Sequence, residues 1–234
     1  MNILAIDTAT EACSAALSVG GRVLARFEVA GRSHTERLMP MVLELMAEAG
    51  LAFTQLDGYV CGVGPGSFAG VRIGVGYVKG LALAVDRPVA GVSSLAMLAL
   101  PPIHRGQPQV IAAIDARMNE VYVGHYACGR DGLPELRGAE SVCDPAHAPA
   151  AAPGAWAAVG SGWRSYEQPL RLASAAELVA VDGDALPRAE HALTLGLPAL
   201  MQGRGLAADA VVPTYLRNKV ALTIDEQRAL RRRT

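Results

Sequence analysis

Charge is scarce in this 234-residue chain: Asp, Glu, Lys and Arg make up 18% of it, against roughly 25% in an average globular protein. With 51% hydrophobic residues, that excludes disorder and acidic or basic tails as the main theme. Neither sign is in excess. Lys and Arg number 21, Asp and Glu 22, a net charge of −1, so the basic surplus of a stand-alone nucleic-acid binder is missing. Cysteine is sparse as well. Cys13, Cys61, Cys128 and Cys143 form no CxxC pair and have no ligand spacing to a histidine, so they read as buried structural thiols rather than a redox or zinc site. His34, His104, His125, His147 and His191 form no HxxxH or HExxH pair, and no GxSxG elbow is present. The longest uncharged stretches, Pro88 to Ile103 and Pro145 to Trp163, are broken by proline and do not read as membrane spans. No basic segment precedes the first apolar run and Asp7 lies within it, so a signal peptide is not expected. The expectation is a soluble, cytoplasmic protein.

What is present is an alternation of short apolar runs and amphipathic segments. Asn2 to Asp7, Cys13 to Val19 and Arg22 to Val29 predict three strands, the last two joined by a Gly20-Gly21 hairpin turn. Ser33-His-Thr-Glu36 has the spacing of a capping box. The helix it opens carries Leu38, Met41, Val42, Leu45 and Met46 on one stripe and stops at Gly50, with Pro40 predicting a kink or a late start. A strand over Gly58 to Val63, a helix to about Asp86, a strand over Pro88 to Val92 and a short helix over Ser94 to Leu100 follow. Pro101-Pro102 and the polar stretch to Pro108 mark a domain boundary. Val110 to Asp115 followed by Glu120 to Ala127 repeats the layout of the N-terminus, with Ile114-Asp115 matching Ile6-Asp7. Beyond it lie a short helix, loops and a strand over Asp144 to Trp163, a helix over Pro187 to Gly203, and a charged helix over Asp225 to Arg233. This pattern predicts two mixed α/β halves.

Three features invite chemistry. The loop Gly64-Pro-Gly-Ser-Phe-Ala-Gly70 joins a strand to a helix, where free N–H groups and the helix dipole favour an anion. It fits G-x-G-x-x-A, yet Asp86 precedes its strand instead of ending one, so a dinucleotide site competes with a plain tight turn. In the helix that follows, Gly70 and Gly74 share one face and Gly76 and Gly80 another. Each glycine costs roughly 1 kcal/mol relative to alanine, so four of them imply close approach, to the sheet on one face and to a helix of this or another chain on the other. Asp7, with Thr8, Thr10 and Ser14 nearby, either holds phosphate and metal, as the matching hairpin does in actin-like ATPases, or caps its own turn; Asp115 is its counterpart. The basic end Arg228, Arg231, Arg232 and Arg233 either meets RNA or is a solvated helix end.

Asn2 to Ser14, Gly64 to Gly74, Ala113-Ile-Asp-Ala-Arg-Met118 and Pro213-Thr-Tyr-Leu-Arg217 resemble the TsaB (YeaZ) family. The resemblance runs from Met1 to about Val220, looser over Asp144 to Ala210, and departs at Ala69, where the family has threonine. It implies the actin/Hsp70/sugar-kinase (ASKHA) fold, α/β with two duplicated subdomains, here 1–106 and 107–211, and a C-terminal segment, 212–234, that packs back on the first. It also implies a non-catalytic subunit of the machinery that makes N6-threonylcarbamoyladenosine in tRNA. Such a subunit pairs with and activates the transferase TsaD, is joined by the ATPase TsaE, forms a homodimer when TsaD is absent, and meets tRNA through the complex. Ser94 and Leu98 stand where TsaD carries an HxxxH metal pair, so neither transferase nor peptidase activity is expected. No cofactor of its own is implied; ATP or ADP binds weakly or at the shared interface. The candidate nucleotide or phosphate loop is Asp7, Thr8, Thr10, Ser14, Gly64, Gly66, Ser67 and Asp115. The interface expected on the helices over Glu36 to Ala49 and Ser67 to Val85 comprises Leu38, Met41, Val42, Leu45, Gly70, Val71, Gly74, Val75 and Val78, and Gly74→Leu is expected to weaken the heterodimer while leaving the monomer folded. Two alternatives stand beside this reading: an ATP-dependent phosphotransferase using Asp7 and Asp115, and a Rossmann-type oxidoreductase using the Gly64 loop.

Overall fold

The computed structural model describes residues 1–31 and 33–217; the expected helix over Asp225 to Arg233, with its four arginines, lies outside them. Strand β1 (Ile3–Asp7) is buried along its whole length because both faces of its sheet are covered. Ile3 and Ala5 point to one core, Leu4 and Ile6 to another. Strand β2 (Ala12–Val19) pairs antiparallel with β1 and with β3 (Arg22–Val29). Gly20 and Gly21 both have positive φ, +55° and +79°, the mirror-image turn that matches strand twist. Strands β4 (Gly58–Gly64) and β5 (Val89–Ser93) add in parallel, giving the order β3-β2-β1-β4-β5.

Helix α1 (His34–Ala49) starts where the sequence predicts but without the capping box: Ser33 makes no side-chain cap. The helix also runs through Pro40 instead of starting late. Its five stripe residues are buried against the sheet, at roughly 1.5–3 kcal/mol per side chain, which outweighs both a missing cap of about 1 kcal/mol and an internal proline of about 3. Arg26 reaches from β3 to Glu44 and Glu48 on α1, and Arg37 reaches back to Glu28. Helix α2 (Phe68–Val85) follows β4 and packs on the same face of the sheet.

The second half repeats the first. Strands β6 (Gln109–Arg117), β7 (Glu120–Cys128), β8 (Pro134–Leu136), β10 (Ala155–Val159) and β11 (Glu177–Asp182) form the order β8-β7-β6-β10-β11, antiparallel then parallel as in the first sheet, and β9 (Ser141–Cys143) adds a short pairing to β7. This shared strand order is the duplication that the Ile6-Asp7 and Ile114-Asp115 match predicts.

The helices do not respect the sequence boundary. Helix α3 (Ser94–His104) continues through Pro101 and Pro102 and packs Leu95, Leu98, Ala99 and Ile103 on the second sheet. Helix α5 (Ala189–Met201) packs Ala189, Ala192, Leu193 and Leu200 on the first. Helix α4 (Ser161–Ser174) stays with its own half, where Trp156 and Trp163 fill the core. Across the expected 1–106 and 107–211 division, each half lends its last helix to the other's sheet. The segment after α5 reaches the first half, with Val211 in the first core and Thr214 N–H donating to Val63 O at 2.7 Å. Of the cysteines, Cys13 and Cys61 are buried, but Cys128 is exposed at the end of β7, a correction to the all-buried reading.

Candidate functional site

A cleft of about 690 Å³ lies between the halves, lined by the β1–β2 turn, the start of α2, the β6–β7 turn, the start of α4 and residues 214–217. Four of the eight expected phosphate-loop residues reach it: Thr10, Gly66, Ser67 and Asp115. The other four do not. Gly64 sits beneath the loop against Val71. Thr8 is buried and donates its hydroxyl to Gly70 O at 2.7 Å. Ser14 is buried and accepts the Ala189 N–H at 2.9 Å, so it holds the start of α5. Asp7 is fully buried, with Oδ1 accepting the Ala9 N–H at 3.3 Å and Oδ2 without a hydrogen-bond partner among the described residues. It faces Gly62, where a Cβ would collide with Oδ2. Burial pushes its carboxyl from an ordinary 3.8 up to about 7.

The two loops that would cradle a phosphate close on each other. Ser67 N–H donates to Ala9 O at 2.7 Å, and a Cβ on either Gly66 or Gly70 would collide with the carbonyl of Ala9 or Thr8. Ser67 Oγ takes the Gly70 N–H as an N-cap. Two of the donors that the glycine loop would offer an anion, the Ser67 and Gly70 N–H groups, are thus spent on the protein. Asp115 likewise serves its own turn, accepting the Arg117 N–H at 2.8 Å and pairing with the Arg117 guanidinium at 3.2 Å. Of the two aspartates of the phosphotransferase reading, Asp115 lines the cleft and Asp7 is buried behind it. The oxidoreductase reading disagrees with the topology: the antiparallel strand β2 lies beside β1 where a doubly wound sheet continues in parallel, and Asp86 caps the far end of α2.

Sequence reasoning missed several residues that shape this cleft. His34 is buried, and its Nε2 lies 2.9 Å from Thr10 O and 3.2 Å from Ala12 O. Two carbonyls require that nitrogen to carry the proton, so His34 pins the β1–β2 turn as a donor. Glu11 crosses to Arg164, which also binds Asp184. Arg72 lies 3.5 Å over the Phe68 ring and donates to the Tyr215 hydroxyl at 2.9 Å. The Phe68–Arg72 spacing of four on a helix was the available signal. Among the described residues no group of three or more His, Cys, Asp or Glu side chains could hold a metal. Ser94 and Leu98 are both buried at the start of α3; Leu98 has no donor atom, and the Ser94 hydroxyl has no hydrogen-bond partner among the described residues.

The expected interface residues lie on the inner faces of α1 and α2. Leu38, Met41, Val42, Leu45, Gly70, Val71, Gly74, Val75 and Val78 are all buried in this chain's own core. Gly74 is small because a Cβ there would lie 2.6 Å from Thr8 Oγ1. The opposite face of α2 is different. Gly76 and Gly80 meet nothing within 4 Å, Leu83 is 62% exposed, and on neighbouring α1 Leu43 is 51% exposed. Tyr77 ties the two helices, donating its hydroxyl to Thr35 O at 3.3 Å. Helix α2 is apolar and long enough to cross a membrane by composition and length alone, yet only 33% of it is buried.

Comparison with known proteins fits this architecture. Residues 26–221 match the family described as TsaD, tRNA N6-adenosine threonylcarbamoyltransferase. The tRNA threonylcarbamoyladenosine biosynthesis protein TsaB of Escherichia coli is 41% identical over 226 residues, covering 94% of this chain and 96% of that protein. The chain belongs to the TsaB family. TsaB of Haemophilus influenzae is 38% identical, covering 94% and 95%. The solved structure of YeaZ from Pseudomonas aeruginosa superposes with a TM-score of 0.84 at 42% identity, over 92% of this chain and 99% of that one. A further solved structure, described as similar to peptidase YeaZ from Pseudomonas aeruginosa, gives 0.85 at 44%, with the same coverage. With the TsaB family comes the ASKHA fold, whose two α/β subdomains are the two halves described above.

Proposed function

We propose that this TsaB-family chain is a non-catalytic docking subunit of tRNA threonylcarbamoyladenosine biosynthesis that pairs with and activates TsaD, with TsaE joining the pair. The uncovered face of α2 carries the reading. An 18-residue apolar helix with two-thirds of its residues unburied, and with open glycines one turn apart, is costly in water and suited to close packing against another helix. Leu43 and Leu83 supply apolar surface beside it. A second copy of this chain competes for the same face when TsaD is absent. The absence of catalysis is supported by the chemistry of Ser94 and Leu98, since a neutral hydroxyl and an alkyl side chain are no substitute for two imidazoles. A weak nucleotide affinity is supported by the closed loops of the cleft, and tRNA is met through the complex.

Gly76→Leu and Gly80→Leu place bulk on the open face without touching the core. Each is expected to abolish co-purification with TsaD without lowering the thermal melt of the isolated chain, since leucine favours a helix more than glycine does. Retained capture by both variants would remove the docking face. Reconstitution with TsaD, TsaE, tRNA and the threonylcarbamoyl adenylate, omitting one component at a time, is expected to lose modification when this chain is left out. Modification by this chain without TsaD would overturn the non-catalytic role.

A further inference from the structure

Helices α3 and α5 join the two halves, and none of the residues lining the cleft belongs to either helix. Opening the cleft is therefore a hinge motion about that junction, resisted by whatever spans the cleft's mouth. One tie is the Glu11–Arg164 pair, whose side chains are 35% and 52% exposed; an ion pair so exposed resists little. The other is the chain's own return segment. Lys79 on α2 donates to the carbonyls of Asp209 and Val211 at 3.0 and 3.1 Å. Thr214 N–H donates to Val63 O at 2.7 Å, and Tyr215 packs on Phe68 while accepting from Arg72. All of these anchors lie in the first half. Two residues later the segment reaches the second: Arg217, 18% exposed, donates to Ala116 O at 3.0 Å, to Arg117 O at 3.4 Å and to the Glu120 carboxylate.

The receiving turn is itself strained. Arg117, Met118 and Asn119 hold φ of +62°, +57° and +59°, a run of left-handed conformations that non-glycine residues adopt only when the surroundings enforce them. Arg217 binds the carbonyls on either side of the first strained residue's N–Cα–C unit, so turn and segment enforce each other. We propose that Val211–Arg217 is a strap that fixes the angle between the two halves, with Arg217 as its latch on the 116–120 turn. The proposal concerns the isolated chain and stands apart from the docking face.

The test places spin labels on Val23→Cys in the first sheet and Leu172→Cys on α4, both exposed, in a Cys128→Ser, Cys143→Ser background. In the otherwise native chain one narrow distance distribution is expected. Arg217→Ala is expected to broaden it and shift its mean, and to speed amide exchange in the 116–120 turn but not in β1 or β4. Glu120→Gln attacks the latch from the other side and should give a smaller shift of the same sign; it carries the test should Arg217→Ala not fold. A distribution unchanged in the folded variants would overturn the strap and leave Arg217 as a local stitch.

Discussion

At the scale of single residues, Asp7 shows that a place at a strand end beside hydroxyls does not by itself put a carboxylate on the cleft. The sequence places it correctly at the end of a strand beside hydroxyls. It cannot show that Gly62 and the β1–β2 turn would seal the carboxyl away from the cleft, because that depends on pairing between strands far apart in the chain. Asp115 was legible to a greater extent: the alternative of a turn-capping aspartate is what its bond to Arg117 N–H shows. The burial of Asp7 has a thermodynamic sign. Its folded-state pKa of about 7 lies above the unfolded 3.8, so between these values the folded state binds the extra proton and stability falls as pH rises. Below pH 3.8 both states are protonated and the penalty vanishes; above about 7 it is complete, on the order of 4 kcal/mol at most for a gap of about three pH units. Asp7→Asn is therefore expected to raise the melting temperature at pH 8, to leave it nearly unchanged at pH 3.5, and to flatten the profile between. Parallel pH profiles for variant and native chain would refute the burial penalty.

At the scale of elements, apolar periodicity located α1 and α2 to within one or two residues and identified which side chains share a face. It could not say what that face meets. A stripe of Leu, Met and Val is equally suited to a chain's own sheet and to a partner, and only the sheet's position decides. The glycines carried more information. Splitting them into two pairs on two faces is what the structure shows, with Gly70 and Gly74 packed on the β1–β2 turn and Gly76 and Gly80 open. The expectation that Gly74→Leu spares the monomer is accordingly reversed. A leucine at this position must displace Thr8, and the variant should lose roughly 1–3 kcal/mol or more of unfolding free energy by urea titration. An unfolding midpoint equal to that of the native chain would show that the β1–β2 turn yields, contrary to its anchoring by His34. Helix α3 was read too short because Pro101 and Pro102 look like a stop; burial of Pro102 and Ile103 against the second sheet carries the helix past them.

At the scale of the whole molecule, the duplication was legible from one dipeptide match and confirmed by strand order, while the cleft between the copies was not legible at all. Its walls come from stretches far apart in the chain, and its closure from backbone bonds that leave no mark in residue type. That closure bears on ligands. Because Ser67 and Gly70 N–H groups are already bonded, titration of the isolated chain with ATP in a calorimeter should show no affinity tighter than roughly millimolar, the range where about 4 kcal/mol of binding free energy remains. Micromolar affinity would mean that the two loops part readily and that the cleft is a working nucleotide site.

The exchange of α3 and α5 carries its own consequence. Each sheet is roofed on one side by a helix encoded in the opposite half of the gene, so severing the polypeptide near residue 106 would leave both pieces with a bare greasy slab. The two repeats share one strand order yet depend on each other for cover, so neither is a self-sufficient module.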